Sequence, residues 1–469
     1  MHFNSLTFFV FLVVVYAGYL LASHRWQNRL LLCASYIFYC VWDWRFLGLI
    51  LLSTAVDFVA GHAIHHSVHQ NRRRWFLGIS IFTNLLILGF FKYFNFFISS
   101  SADLLQWLGI NYSWNTLSIV LPVGISFYTF QSMSYTIDIY RRQCAPTEIF
   151  SVFALFVAYF PQLVAGPIER ASKLIPRIES PRKITFDLTT RGLFLILLGL
   201  VKKITIADGI SPSVDQVFGS TVASAGEIAL ACYLFAIQIY CDFSGYSDIA
   251  RGVSKLFGIE LVVNFRAPLL SSNPSDFWAR WHISLSTWMR DYIYIPLGGN
   301  RHGWLTKIRN TLVTFLLSGL WHGAAWSFVL WGLFHGSLVC IWHLLRPVEK
   351  TRSMLTKTII FVFHFHLFAY GWMLFRASSF DQIRYFTAAI FVDANLRSWT
   401  TVNIIQPTAS AVFAIAVIFA FDLLVVWTGD DKFYRRLPPW VRSGSYAILL
   451  VLLDLGFAHV PTEYVYFQF

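Results

Sequence analysis

Long apolar stretches recur along the whole chain, and short polar segments separate them. Most stretches approach the ~20 helical residues that cross the hydrocarbon core of a bilayer. Because lipid offers no hydrogen-bond partners to the backbone, we interpret them as helices. They predict an all-α, polytopic membrane protein with eleven or twelve transmembrane helices. These lie near residues 6–22, 29–42, 46–61, 75–98, 117–137, 192–210, 227–247, 311–325, 327–345, 358–376, 410–428 and 444–460.

The composition agrees with a membrane location. The 469 residues are 57% hydrophobic and only 13% charged, with a mean hydropathy of +0.58, whereas a soluble chain carries about a quarter charged residues. The net charge of +12 has a simple cause in basic loops beside membrane helices. We therefore expect membrane lipids, and no nucleic acid, as partners.

Most of the basic residues fall in alternate loops of this helix pattern. Cytoplasmic loops carry an excess of Lys and Arg, which predicts that both termini are extracytoplasmic. The first apolar run, 6–22, has no basic residue before it and no small-residue cleavage pattern after it, so we predict a retained helix and no signal peptide. The loops predicted to face inward are 23–29, 62–74, 138–191, 248–310, 346–357 and 429–443.

Two segments do not fit a simple pattern of spans. Residues 150–165 are apolar enough to cross, but basic residues flank them on both sides and Pro161 and Gly166 interrupt them. Residues 276–300 combine charged with aromatic side chains. We predict that both segments are re-entrant or interfacial. The sequence shows no linker, repeat or soluble part, so residues 1–469 are predicted to form a single integral domain.

Cysteines and histidines are the residues most able to bind a metal ion in this chain. None of the six cysteines forms a CxxC pair, which predicts neither a disulfide framework nor a thiolate site. Three of the four histidines in "GHAIHHSVH", residues 61–69, share one helical face and could bind a metal. The group follows a span and precedes three arginines, so an interfacial polar turn is the favoured interpretation. We predict no metal site.

The first candidate for chemistry is His322 in "GLWHGAAW", within a run that carries no charge between Arg309 and Arg346. A polar ring at membrane depth costs free energy unless it is paired or used. In a structural role, its imidazole bonds a carbonyl while Gly319 and Gly323 allow close helix packing. In a catalytic role, a buried neutral imidazole acts as a general base. The motif alone leaves both roles open.

The second candidate is His282, in "DFWARWHISLSTWMRDYIYIPLGGNR" at residues 276–301. Here Arg280 and Arg290 could attract the phosphates of a cytoplasmic donor. The same pattern also fits an amphipathic helix on the membrane surface with a belt of tryptophans. The glycine turn near its end lacks the Walker pattern and is weak support for a phosphate cradle.

The third candidate is "YCDFSGYSD", which places Asp242 and Ser244 at the inward end of a predicted span. A carboxylate at this depth is a functional candidate. It could equally neutralise a basic residue such as Arg251 or Lys255.

Taken in order, these motifs resemble one family. "RWHISLSTWMRDYIYIPLGGNR" and, forty residues after its histidine, "GLWHGAAWSFVLWGLFHG" are similar to the membrane-bound O-acyltransferase (MBOAT) family. "IPLGGNR", "QIYCDFSGYSDIA", "YFPQLVAGPIER" and the terminal "YFQF" resemble its alginate O-acetyltransferase branch. The resemblance covers essentially the whole chain.

The resemblance implies a set of site residues. The family's principal catalytic histidine falls on His322 and its second histidine on His282, in a tunnel open to both membrane faces. It also implies an acyl thioester donor, acetyl-CoA or another, with no tightly bound cofactor. The residues expected to bind the donor or line the tunnel are Arg280, Trp281, Arg290, Asp291, Trp321, Gly323, Asp242 and Ser244.

The implied function is O-acetylation of an extracytoplasmic polysaccharide such as alginate, from the bacterial inner membrane. An extracytoplasmic partner protein would complete the transfer to the polymer. Alternatives are D-alanyl or other acyl transfer to cellulose, peptidoglycan or teichoic acid. A transporter should show an internal repeat, which the sequence lacks, and a non-catalytic scaffold should tolerate replacement of His322.

Overall fold

The computed structural model describes residues 1–110, 116–164, 166–345, 353–392, 395–402, 405–459, 462 and 464–465. The structure is 77% helical, and no strand occurs within these ranges. Six helical segments there are long and apolar enough to cross a membrane: His24–His66, Gln70–Trp107, Ala225–Leu256, Trp326–Leu345, Met354–Arg376 and Ala409–Thr428. The predicted all-α, polytopic membrane fold is confirmed.

The other predicted spans fall on helices that are shorter or more polar, so the number of eleven or twelve stays a prediction. The same holds for the orientation of the termini. The terminal "YFQF", residues 466–469, lies outside the described residues, as do 346–352 of a loop predicted to face inward.

The chain divides into two compact units, Met1–Phe194 with Ala250–Val262, and Leu195–Ile249 with Val263–Phe469. The single integral domain stays a prediction. The helices that begin in the first unit are α1 (Leu6–Leu21), α2 (His24–Asp43), α3 (Leu47–His66), α4 (Gln70–Leu88), α5 (Phe94–Trp107), α6 (Ile125–Tyr140), α7 (Phe150–Ala158), α8 (Phe160–Leu163), α9 (Ala171–Glu179) and α10 (Phe186–Leu200).

The second unit holds the end of α10 and most of α12. Its helices are α11 (Asp208–Phe218), α12 (Ala225–Leu256), α13 (Pro274–Arg280), α14 (Ile283–Met289), α15 (Gly303–His322), α16 (Trp326–Leu345), α17 (Met354–Arg376), α18 (Phe380–Phe391), α19 (Leu396–Thr400), α20 (Ala409–Thr428) and α21 (Pro439–Gly456).

The two segments predicted to be re-entrant are built from short helices. In 150–165, α7 has nine residues and α8 four, with a break at Tyr159 just before Pro161; Ala165 lies outside the described residues. In 276–300, α13 and α14 have seven residues each. At 1.5 Å per residue, none of these helices is long enough to span a bilayer. Their depth in the membrane stays a prediction.

A buried polar network ties three helices of the first unit together. Asp57 of α3 is fully buried and accepts hydrogen bonds from Ser80 Oγ at 2.6 Å and Asn84 Nδ2 at 2.8 Å, both on α4. Ser53 donates to Asn84 Oδ1 at 2.9 Å, and Ser80 Oγ bonds Thr136 of α6 at 2.8 Å. Buried polar groups are costly unless they are paired, so this network favours one packing of α3, α4 and α6.

Replacing Asp57 with Ala tests this role. The change leaves the Ser80 and Asn84 donors without their acceptor, and we expect a loss of about 1–3 kcal/mol of stability. Thermal unfolding of the purified protein in detergent measures it. Asp103→Ala, at an exposed position of α5, serves as the control and should change stability by less than about 0.5 kcal/mol. Equal melting temperatures of the Asp57 and Asp103 variants would contradict the role of the network.

Candidate active site

His322 is the last residue of α15, and it is 4% exposed. The helix runs from Gly303 to His322, so it begins and ends earlier than the predicted span 311–325. The C-terminus of a helix carries a partial negative charge. The helix end therefore stabilises the positive charge of a protonated imidazole at this position.

Glycines bring α15 and α16 into backbone contact beside His322. A Cβ on Gly319 would lie 2.1 Å from the Phe328 carbonyl oxygen, and one on Gly332 would lie 2.3 Å from the Phe315 oxygen. A Cβ on Gly323 would lie 2.0 Å from the Phe328 ring. Gly319 and Gly323 therefore allow the close helix packing suggested by the sequence, and the end of α15 lies directly against α16.

Three aromatic rings surround the His322 imidazole. Ring centroids lie at 4.9 Å for Trp321, 5.0 Å for Trp331 of α16 and 5.4 Å for Phe375 of α17. All three rings are at least 97% buried. This cage fixes the orientation of the imidazole and keeps bulk water away from it.

His282 joins α13 to α14 in a left-handed backbone conformation, with φ 42° and ψ 54°. A non-glycine residue in this region costs of order 1–3 kcal/mol and persists only when its surroundings impose it. Asn264 supplies much of that restraint. Its backbone oxygen accepts from Ile283 N at 2.9 Å, and its Oδ1 accepts from Ser284 N at 3.1 Å and Ser284 Oγ at 2.9 Å.

The same Asn264 oxygen fixes the tautomer of His282. The backbone N–H of Ser284 can only donate, so the Asn264 atom that faces it is the carbonyl oxygen. His282 Nδ1, 3.3 Å from this oxygen, therefore donates. Burial lowers the pKa of His282 to about 3, so the ring is neutral at physiological pH and its lone pair is on Nε2.

Trp321 links the two histidines. Its ring lies 5.8 Å from the His282 ring and 4.9 Å from the His322 ring. Phe243 of α12 meets His282 edge to face at 4.6 Å. Residues forty positions apart are thus gathered around one buried tryptophan. Phe243 of the "YCDFSGYSD" motif thus contacts a histidine, and its neighbour Ser244 is buried.

The charged candidates near His282 are paired within their own segment. Arg280 Nε lies 2.7 Å from Asp276, and Arg290 Nε lies 2.8 Å from Asp291. The two arginine side chains are 27% and 59% exposed, so both can be reached from outside. Trp281 is buried, with ring distances of 5.1 Å to Phe265 and 4.9 Å to Trp372, and Trp372 in turn lies 5.3 Å from Phe375 beside His322.

Asp242 neutralises a basic residue, and that residue is Lys203. The Lys203 ammonium lies 2.8 Å from Asp242 and 2.9 Å from Asp208, and all three side chains are 1% exposed. The suggested partners Arg251 and Lys255 were wrong. Arg251 and Lys255 lie nine and thirteen residues after Asp242 on the same helix, whereas Lys203 lies in the helical segment Val201–Ala207 between α10 and α11.

Several residues that shape the site were not among the predicted ones. Lys203 carried a usable signal, because a lysine inside a predicted span needs a buried partner. Asn264, a single amide in a loop, carried none. Trp331 and Phe375 were indistinguishable from other aromatic residues of apolar helices.

The histidines of 61–69 take ordinary positions at the end of α3. His62 Nδ1 bonds the Phe58 oxygen at 3.0 Å, and its Nε2 lies 3.4 Å from Glu148. Within the part of the chain that the structure describes, no three His, Cys, Asp or Glu side chains are placed to hold a metal ion.

Known proteins resemble this chain over most of its length. The "Probable alginate O-acetylase AlgI" of Azotobacter vinelandii is 37% identical over 93% of this chain and 86% of the relative. The protein of the same name from Pseudomonas putida is 34% identical over the full length of both chains. The "Peptidoglycan O-acetyltransferase" of Helicobacter pylori is 30% identical over 100% of this chain and 97% of the relative.

The model of the MBOAT, membrane-bound O-acyltransferase family, matches residues 149–380. This range contains both candidate histidines, Asn264 and the three rings around His322. The resemblance drawn from the motifs is confirmed, and with it the enzyme class. The chain belongs to the membrane-bound O-acyltransferase family and is a membrane-embedded O-acyltransferase.

Proposed function

We propose that this enzyme transfers an acetyl group from a cytoplasmic thioester, acetyl-CoA, towards an extracytoplasmic polysaccharide. The observation that carries the proposal is the buried pair of imidazoles, His322 and His282, around Trp321. The names of the relatives, two alginate O-acetylases and a peptidoglycan O-acetyltransferase, support acetyl as the acyl group. D-alanyl transfer is the alternative acyl chemistry.

His322 is the proposed general base. It removes the proton from an acceptor hydroxyl while that oxygen attacks the thioester carbonyl. The new C–O bond forms, the C–S bond breaks, and the proton passes from His322 to the departing sulfur. General-base assistance of this kind is typically worth ~10²–10⁴ in rate. The end of α15 favours the imidazolium that forms during the step.

His282 is the proposed positioning residue. With its proton on Nδ1 and donated to Asn264, the neutral ring offers an acceptor at Nε2. That atom suits a hydroxyl or amide N–H of a substrate better than a carbonyl oxygen. The tautomer therefore favours a role in placing a substrate over one in polarising the thioester carbonyl.

Arg280 and Arg290 keep their proposed place near the donor entrance, because both are partly exposed and close in sequence to His282. A donor phosphate would have to compete with Asp276 and Asp291 for them. Charge complementarity is the support for this part of the proposal.

The acceptor we favour is alginate or a similar exopolysaccharide, reached through an extracytoplasmic partner protein at the bacterial inner membrane. The alginate-named relatives at 34–37% identity support it. Peptidoglycan is the second candidate, because the Helicobacter pylori relative matches over nearly full length. The excess of basic residues in the loops predicted to face inward supports the orientation.

Replacing His322 with Gln tests the general base. We expect acetyl transfer to fall by at least ~10²-fold, with protein level and melting temperature retained. Mass spectrometry of acetyl esters on the cell-surface glycans is the readout. His366→Gln, at an exposed histidine of α17, is the matched control. Activity retained in the His322 variant would rule out the assignment.

Replacing Asn264 with Asp tests how His282 is held. A carboxylate at Nδ1 raises the pKa of His282, and below that new pKa the ring is protonated and Nε2 no longer accepts. We expect the variant to lose acetyl transfer as pH falls within the range from about 8 to 5, whereas titration of wild-type His282 causes no loss there. A pH–rate profile in proteoliposomes measures this. Superimposable profiles would contradict it, and His282→Gln should be slow at every pH.

A further inference from the structure

Two arginine-rich runs, seventy residues apart, meet in the first unit. One is Arg72–Arg74 in the first turns of α4, and the other is Arg141–Arg142 directly after α6. Between them lies a cavity of about 430 Å³. None of the residues assigned to acyl transfer lines it. Its lining includes His65, Arg73, Arg142, Gln143 and Cys144, and no acidic residue.

Arg73 is held rigidly at this cavity. Its side chain is buried at 7% exposure, one terminal nitrogen donates to the Tyr140 carbonyl at 2.6 Å, and the guanidinium lies 5.2 Å from the Tyr140 ring centre. A guanidinium has five N–H donors, so this single bond leaves donor capacity. A fixed, partly desolvated guanidinium is well suited to recognise phosphate.

The start of α4 adds to the positive field. The helix begins at Gln70, and the N-cap residue His69 makes no side-chain capping bond. The first N–H groups of a 19-residue helix therefore contribute partial positive charge on the side of Arg73. Anions bind favourably at such a place.

Arg142 occupies a strained backbone position. Its φ is 60°, in the left-handed region that glycine adopts without cost and other residues adopt only at a cost in free energy. The residue there is nevertheless an arginine, with an exposed side chain at the cavity. The strain points to a use for the guanidinium, because glycine would serve the backbone better.

We propose that this cavity binds the phosphate of an anionic phospholipid head group. It lies at the ends of two segments long and apolar enough to span, His24–His66 and Gln70–Trp107, where head groups are found. Trp75, one residue after the arginine run, is 69% exposed, as is common at the membrane interface. Basic pockets between helix ends are suited to anionic head groups.

The test uses the purified full chain, titrated with phosphatidylglycerol or phosphatidylcholine and examined by native mass spectrometry. Arg142→Gly removes the guanidinium and relieves the backbone, so the melting temperature should stay the same or rise. Phosphatidylglycerol retention should fall about tenfold through loss of a charge-assisted bond. Arg73→Gln should reduce it at least as much. The matched control is Arg25→Gln, exposed in the first turn of α2 and outside the cavity.

Three outcomes would overturn the proposal. If phosphatidylglycerol retention is unchanged in both cavity variants, the cavity does not bind this lipid. An equal fall in Arg25→Gln shows general charge attraction. Displacement of phosphatidylglycerol by an equal concentration of inorganic phosphate identifies a soluble anion as the ligand. Selective loss in the cavity variants, with phosphate unable to compete, supports the lipid site.

Discussion

The second unit depends on a buried ion cluster, in which the Lys203 ammonium lies between the carboxylates of Asp208 and Asp242. Removing one member of a buried charge cluster typically costs about 3–5 kcal/mol, because the remaining charge is left uncompensated. Asp242 directly precedes Phe243, whose ring packs against His282. The ion cluster therefore fixes the part of α12 that supports one of the two histidines, although it touches neither of them.

The same requirement, that a polar group away from water must find its partner inside the protein, acts elsewhere. In the first unit it gathers hydroxyl and amide donors around Asp57. At His282 it is met by Asn264, whose side-chain oxygen accepts several donors at once. Those bonds offset the strain of the left-handed backbone at His282. The hydrogen bonds of Asn264 thus act on the candidate site by holding the backbone and the ring of His282 in place.

Hydropathy predicted the all-helical membrane fold because burial in lipid acts on every residue of a span. It misplaced α15, since Lys307 and Arg309 made its first turns resemble a loop although the helix continues through them. The motifs identified His322 and His282 but gave no account of what holds them. Asn264 lies eighteen residues before His282, and no periodic pattern connects the two. The partner of Asp242 depended on helix packing, which sequence spacing does not express.

The position of His322 suits a base in two ways. Its aromatic surroundings bury the imidazole and hold the ring in place. Its place as the last residue of α15 favours positive charge once the proton arrives. Gly323, the next residue, leaves room for the Phe328 ring, which a side chain at this position would overlap. A histidine one turn earlier would lose much of this stabilisation of positive charge, because the effect of the helix end falls off within the last turn.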